Sequence, residues 1–208
     1  MSKIEVVDID SPSGESVLTV GGTNSNTVNV EGTSLVLGKS GGTVSVASGA
    51  TASGFGLFAS YAIIADQKTQ NTAGGTFTSG DWRTRDLNTE IADPDGIVSI
   101  SSNQFTLGAG SYLIRWSAPA YHVSKNQTRL YNSSDSSVEG VGSVAYNGTG
   151  SSYGASSYSG GSTRVVISGS KTFEIQHRGS ATRSSDGFGV SGNITTEQYT
   201  TVEIYKEA

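Results

Sequence analysis

Few residues in this chain have the types and spacing that chemistry needs, and their surroundings exclude most of what they could do. Gly38-Lys39-Ser40 ends like a phosphate-binding loop, but five residues separate Gly32 from Gly38 where the motif needs four. Gly41-Gly42-Thr43-Val44 follows in place of a helix, so no helix dipole or amide cradle awaits a phosphate. Gly187-Phe188-Gly189-Val190-Ser191-Gly192 matches G-x-G-x-x-G, yet the strand-like run NITTEQYTTVEIY comes after it where a dinucleotide site requires a helix. A sharp turn between two strands accounts for these glycines. The two histidines, His122 and His177, have no cysteine or carboxylate at metal-ligand spacing and are expected at the surface or rim. Asp93 and Asp95 lack the further oxygen ligands of a calcium loop, and Asp93-Pro94-Asp95-Gly96 reads as a turn. Serines are abundant, but no G-x-S-x-G elbow leads from strand to helix. A carboxylate pair such as Asp81 with Asp86 has a separation that only folding can set. The expectation is a non-enzymatic chain that requires no cofactor and no metal.

Binding residues are easier to find. The stretch Tyr146 to Thr163, YNGTGSSYGASSYSGGST, reads as a contact loop in which Tyr146, Tyr153 and Tyr158 stand among Gly, Ser and Asn. Tyrosine offers a large amphipathic surface at low rotamer cost, and small neighbours adapt around it. His122 to Ser137 and Arg178 to Asp186 are secondary candidate loops. Arg129, Arg178 and Arg183 are suited to acidic sugars or carboxylates. Tyr61, Trp116, Phe188 and Tyr205 are large enough to serve as contacts between copies of the chain. Asn126-Gln127-Thr128, Asn132-Ser133-Ser134, Asn147-Gly148-Thr149 and Asn193-Ile194-Thr195 fit the glycosylation pattern, which an Asn/Ser/Thr-rich sequence also produces by coincidence.

The elements that position these residues are expected to be strands. Gly 28 against Pro 3 and a hydrophobic content of 34% describe many turns and short apolar runs, and no window sustains a 3.6-residue period. Net charge is −5 with Lys+Arg 13 scattered along the chain, so no basic stripe tracks a phosphate backbone. The opening MSKIEVVDID has neither a signal-peptide core nor a spanning segment, and insertion in a membrane is not expected. With Cys 0, stability falls to packing, hydrogen bonds and association.

Between Val17 and Val46 short β-branched runs alternate with Gly/Asn/Ser turns and cannot close a core alone. Winding with identical copies into a β stalk, or docking on another protein, would satisfy them. Ala47 to Gly54 is a neck, which divides the chain into an N-terminal attachment region, residues 1–54, and a C-terminal head, residues 55–208. In the head, Phe58, Tyr61, Ile63 and Ile64 open the first strand, and Asp66 to Gly75 is a polar loop. Trp82 to Ile91 is an extended segment whose Arg83 and Arg85 face water. Ile97 to Ile100 is a strand. Gln104 to Trp116 places Phe105 and Leu107, then Tyr112, Ile114 and Trp116, on alternating positions around Gly108-Ala109-Gly110 and reads as a hairpin. Further strands cover 128–131, 138–146, 164–167, 171–177 and 199–205. About eight to ten short strands make an antiparallel jelly-roll sandwich, with an immunoglobulin-like sandwich as the rival.

Phe105, the turn ending in Gly110, Tyr112 and Ile114 resemble the F-x-x-P-x-x-G-x-Y-x-F signature of complement- and tumour-necrosis-factor-like heads, with Gly108 where proline is usual. The span from about Phe58 to Lys206 resembles the C-terminal heads of phage fibre and virion-surface proteins. The resemblance implies a homotrimer on the virion surface, attached through its N-terminal region to another virion protein. Its head would bind a host-surface carbohydrate or protein, as in a tail fibre. A capsid decoration or head-fibre protein and a carbohydrate-active enzyme are the alternatives. Nucleic acid is not expected as a partner.

Overall fold

The computed structural model describes residues 58–149 and 155–207. The N-terminal region expected to attach the head, and Tyr153, lie outside the described residues. Among the described residues apolar alternation resolves into eleven strands: β1 (Phe58–Lys68), β2 (Arg83–Thr84), β3 (Thr89–Ala92), β4 (Val98–Ser101), β5 (Gln104–Leu107), β6 (Gly110–Tyr121), β7 (Ser124–Asn132), β8 (Ser137–Asn147), β9 (Ser156–Ile167), β10 (Lys171–Gly179) and β11 (Glu197–Glu207). They form two antiparallel sheets. Sheet 1 has the order β3-β1-β11-β6-β9, and sheet 2 the order β4-β5-β10-β7-β8 with β2 beside β10. The pairings nest in sequence, β7 with β8, β6 with β9, β5 with β10 and β1 with β11, as a long ribbon wound on itself must pair. That nesting is a jelly roll and not an immunoglobulin arrangement.

The segment Gln104 to Trp116 is not a hairpin. β5 pairs with β4 and β10, while β6 pairs with β11 and β9, so the glycine turn carries the chain from one sheet to the other. Gly110 makes the step at φ 153°, a conformation that side chains rarely adopt. Phe105, Leu107 and Phe173 from sheet 2 then meet Tyr112, Ile114, Val202 and Ile204 from sheet 1 in one core. Each such side chain contributes roughly 1.5–3 kcal/mol on burial.

Three further expectations are corrected. The tyrosine-rich stretch is not one loop, because β8 continues to Asn147 and β9 begins at Ser156. The small residues of β8 and β9 allow the edges of the two sheets to close on each other: an added Cβ at Gly161 would lie 2.5 Å from the Trp116 ring, and one at Gly142 would lie 2.3 Å from Thr128 Oγ1. Arg85 does not face water. It is buried, donating to Thr200 Oγ1 at 2.8 Å, the Pro119 carbonyl at 3.1 Å and the Phe188 carbonyl at 2.8 Å, with the Phe188 ring 4.4 Å from its guanidinium. Burial pulls its pKa down to about 10, opposed by Asp66 and Asp86, and leaves it charged at neutral pH. His122 and His177 are buried rather than at the rim: Nε2 of His177 meets Asn126 Oδ1 at 3.0 Å, and the Phe77 ring stands edge-on to its imidazole.

Candidate functional site

The outer face of sheet 2 carries the site. Along β7 the side chains of Lys125, Gln127, Arg129 and Tyr131 alternate with buried Asn126, Thr128 and Leu130, which turns the first set outward. Along β10, Gln176 and exposed Arg178 alternate likewise with buried Ile175 and His177. Register sets Arg129 opposite Gln176, Gln127 opposite Arg178, and Lys125 opposite Tyr146 of β8.

Ahead of β2 the chain doubles over this face. Gly80 has φ 99°, and the turn leads to Trp82, whose indole lies under the Arg129 guanidinium at 4.1 Å. Arg129 is fixed in turn. Its Nε donates to Gln176 Oε1 at 2.7 Å, Gln176 donates to Glu174, and the Tyr131 ring lies 5.0 Å away. Between this turn and the sheet runs an open groove of about 490 Å³, within the usual range for ligand sites. Lys125, Gln127, Arg178, Trp82 and Val144 shape it, with Ser79 and Ser180 at its rim. Behind its floor an added Cβ at Gly179 would come 2.8 Å from Phe77, so the floor rests on the small cluster of Phe77, Ala120 and Val123.

No lining residue is acidic, although the whole chain is net negative. Among the described residues Lys125 and Arg178 take part in no ion pair, whereas Lys68, Arg115, Arg164, Lys171 and Arg183 each hold a carboxylate. The face can therefore receive an anion without first breaking a salt bridge, and the carboxylate pairs needed for glycoside chemistry do not line it. Asp86 is bound to Lys68, and Asp81 accepts from the Trp82 amide.

The residues expected to bind are divided by the fold. Arg129, Arg178 and Tyr146 share the outer face of sheet 2, but Tyr158 projects from β9 in sheet 1. Arg183 lies beyond β10, engaged with Asp186 through two hydrogen bonds of 2.7 and 3.0 Å. Lys125 falls within the candidate segment His122 to Ser137, whereas Trp82 is not among the residues expected to bind. Trp82, one of two tryptophans, follows Gly80-Asp81 in a turn where an aromatic residue has no core to fill, and that was the available signal.

The expected contacts between copies are divided too. Tyr61 and Tyr205 are register partners on the outer face of sheet 1, beside Phe58, whose ring centroid is 5.1 Å from that of Tyr205. Trp116 does not lie on that face; it points into the sandwich, where Nε1 donates to Thr128 Oγ1 of the opposite sheet at 2.8 Å. Phe188 packs inward against Phe77 and Arg85.

No family model and no curated protein sequence matches the chain. Solved structures similar to it include the globular domain of zebrafish complement 1qA protein, at 12% identity over 70% of this chain and 94% of that one, with a TM-score of 0.44. Murine APRIL is similar at 7% identity over 71% and 98%, with a TM-score of 0.47. PRD1 vertex protein P5 is similar at 14% identity over 74% and 100%, with a TM-score of 0.44. At these identities and scores a functional reading has to stand on the chain's own surfaces.

Proposed function

We propose that the chain is a non-enzymatic, homotrimeric structural protein of the phage virion surface, whose jelly-roll head binds a host receptor through the outer face of sheet 2. The virion assignment is supported by the sequence resemblance to phage fibre heads. The observation that carries self-association is a pair of exposed apolar surfaces on different parts of the sandwich. One is the outer face of sheet 1, where Tyr61 is 44% exposed beside Tyr205 and Phe58. The other is the edge strand β8 away from the groove, where Val138 and Val141 are 46 and 61% exposed. Two unlike surfaces that seek each other make a heterologous contact, and a rotation that closes gives a ring.

Native mass at low concentration is the direct test of the ring. A trimer that dissociates in Tyr61→Ser/Tyr205→Ser and in Val141→Lys is expected, and a monodisperse monomer of the parent chain overturns it. Labelling virions with antibody to the head tests the placement and separates tail from capsid. Free protein should block phage adsorption; unaffected adsorption together with absence from particles removes the reading. Release of reducing sugar from host polysaccharide would replace it with an enzymatic one.

A further inference from the structure

We infer that the groove on sheet 2 binds an acidic saccharide, with the anionic group between Lys125 and Arg178 and the sugar ring against Trp82. The inference rests on the receptor-binding reading and narrows its ligand. Three observations converge on it, and each excludes a different competitor.

The first is charge. Arg178 stands opposite Gln127, two residues from Lys125 on the same side of β7, so the two cations are diagonal neighbours at roughly 7–8 Å between backbones. A carboxylate or sulfate accepting a bond of about 2.8 Å from each side spans that gap. Because neither cation has an ion-pair partner among the described residues and no carboxylate lines the groove, the anion meets no competing one. An uncharged glycan would leave both cations unanswered.

The second is the indole. An exposed tryptophan that must be ordered on binding costs rotamer freedom, but Trp82 is already held by Arg129, itself held by Gln176 and Tyr131. Its remaining surface lines the groove beside Val144 and supplies a flat apolar wall of the size of a sugar face. The third is shape and rim. The groove is open rather than enclosed, which suits a sugar ring better than a peptide side chain that needs a fully desolvated pocket, and Ser79 and Ser180 line it. Two cations and one aromatic residue are also far short of the basic track and successive stacking platforms of a nucleic-acid groove.

The test presents the purified full chain to immobilised glycans: sialylated, uronate-containing, sulfated and uncharged, with polyglutamate and an oligothymidylate alongside. Retention of acidic glycans over their uncharged counterparts is expected, and the carboxylated and sulfated arms tell which anion is read. Arg178→Gln and Lys125→Gln should each weaken retention about tenfold, and raised salt should weaken it further. Both side chains are outward-facing, so melting should be unchanged; Trp82→Ala should also lose binding. Retention of uncharged glycans alone, of no glycan, or of polyglutamate or oligothymidylate as well as of acidic glycans overturns the inference, as does binding indifferent to both glutamine variants. Blocked adsorption without glycan retention sinks this inference and leaves the receptor-binding reading standing; glycan retention by a protein absent from virions does the reverse.

Discussion

Replacing Arg85 by methionine tests the interior most directly, because the guanidinium joins four segments: the β2 end, Pro119 in β6, Thr200 in β11 and Phe188 beyond β10. Methionine fills much of the same volume but donates nothing. Two carbonyls and a hydroxyl would be left in a dry interior, each unanswered acceptor costing about 1–3 kcal/mol. Charge balance is lost at the same time. Arg85 and Lys68 stand against Asp66 and Asp86, and Asp66, whose carboxyl burial already pushes above the usual range, would keep only Lys68 as a cation. Removing one member of a buried charged set costs about 3–5 kcal/mol, and we take that value because the loop around Phe188 can relax towards water. In a domain of this size that lowers Tm by roughly 6–20 °C. The assay is urea unfolding followed by tryptophan fluorescence, at one protein concentration because association adds to stability. Arg85→Lys, which keeps the charge but not the fork, should fall between, and Asp66→Asn in the Arg85→Met background should recover part of the loss. An Arg85→Met protein within about 0.5 kcal/mol of the parent, inside ordinary surface-substitution scatter, would refute the reasoning.

Acid should weaken the head through His177. Burial, and then Arg85, hold its pKa well below the ordinary 6.5, so below that pH the unfolded chain binds a proton that the folded chain refuses. Stability should fall as pH drops under about 6.5, by up to about 1.4 kcal/mol per pH unit, and His177→Gln should flatten that slope in denaturant titrations. Gly161→Ala places a methyl 2.5 Å from the Trp116 ring and should cost about 1–3 kcal/mol by urea midpoint, with changed tryptophan emission. Asp93 accepts from the amides of Ile97 at 2.8 Å and Val98 at 3.0 Å, so Asp93→Ala should cost about 1 kcal/mol and speed hydrogen exchange at those two amides.

What the sequence revealed was which residues are strands and which sides of them are oily; what it withheld was partnership. Phe105, Leu107, Tyr112 and Ile114 were legible as core positions because period-two alternation reports burial, but alternation is silent on whether successive strands share a sheet. The stretch around Gly160 and Gly161 looked like a loop because it lacks bulk. That lack is a packing demand made by Trp116, which is distant in sequence. Arg85 looked water-facing since a charge in an extended run usually is, and its three acceptors come from residues 34 to 115 positions away. In the site, Arg129 and Arg178 were legible from residue type, whereas Lys125 and Trp82 gain meaning only when the turn at Gly80 folds over the sheet.

The placement of β11 between β1 and β6 bears on how the head can be made. During synthesis from the N-terminus, β1 and β6 leave the ribosome long before the strand that lies between them and pairs with both. On the side away from β3, Ile63 and Ile64 therefore wait with an open hydrogen-bonding edge until residues 197–207 arrive, the situation in which a nascent chain is most adhesive. Chains interrupted before Glu197 should collect as insoluble material, and maturation of the head should be slow, as closure by such distant partners requires.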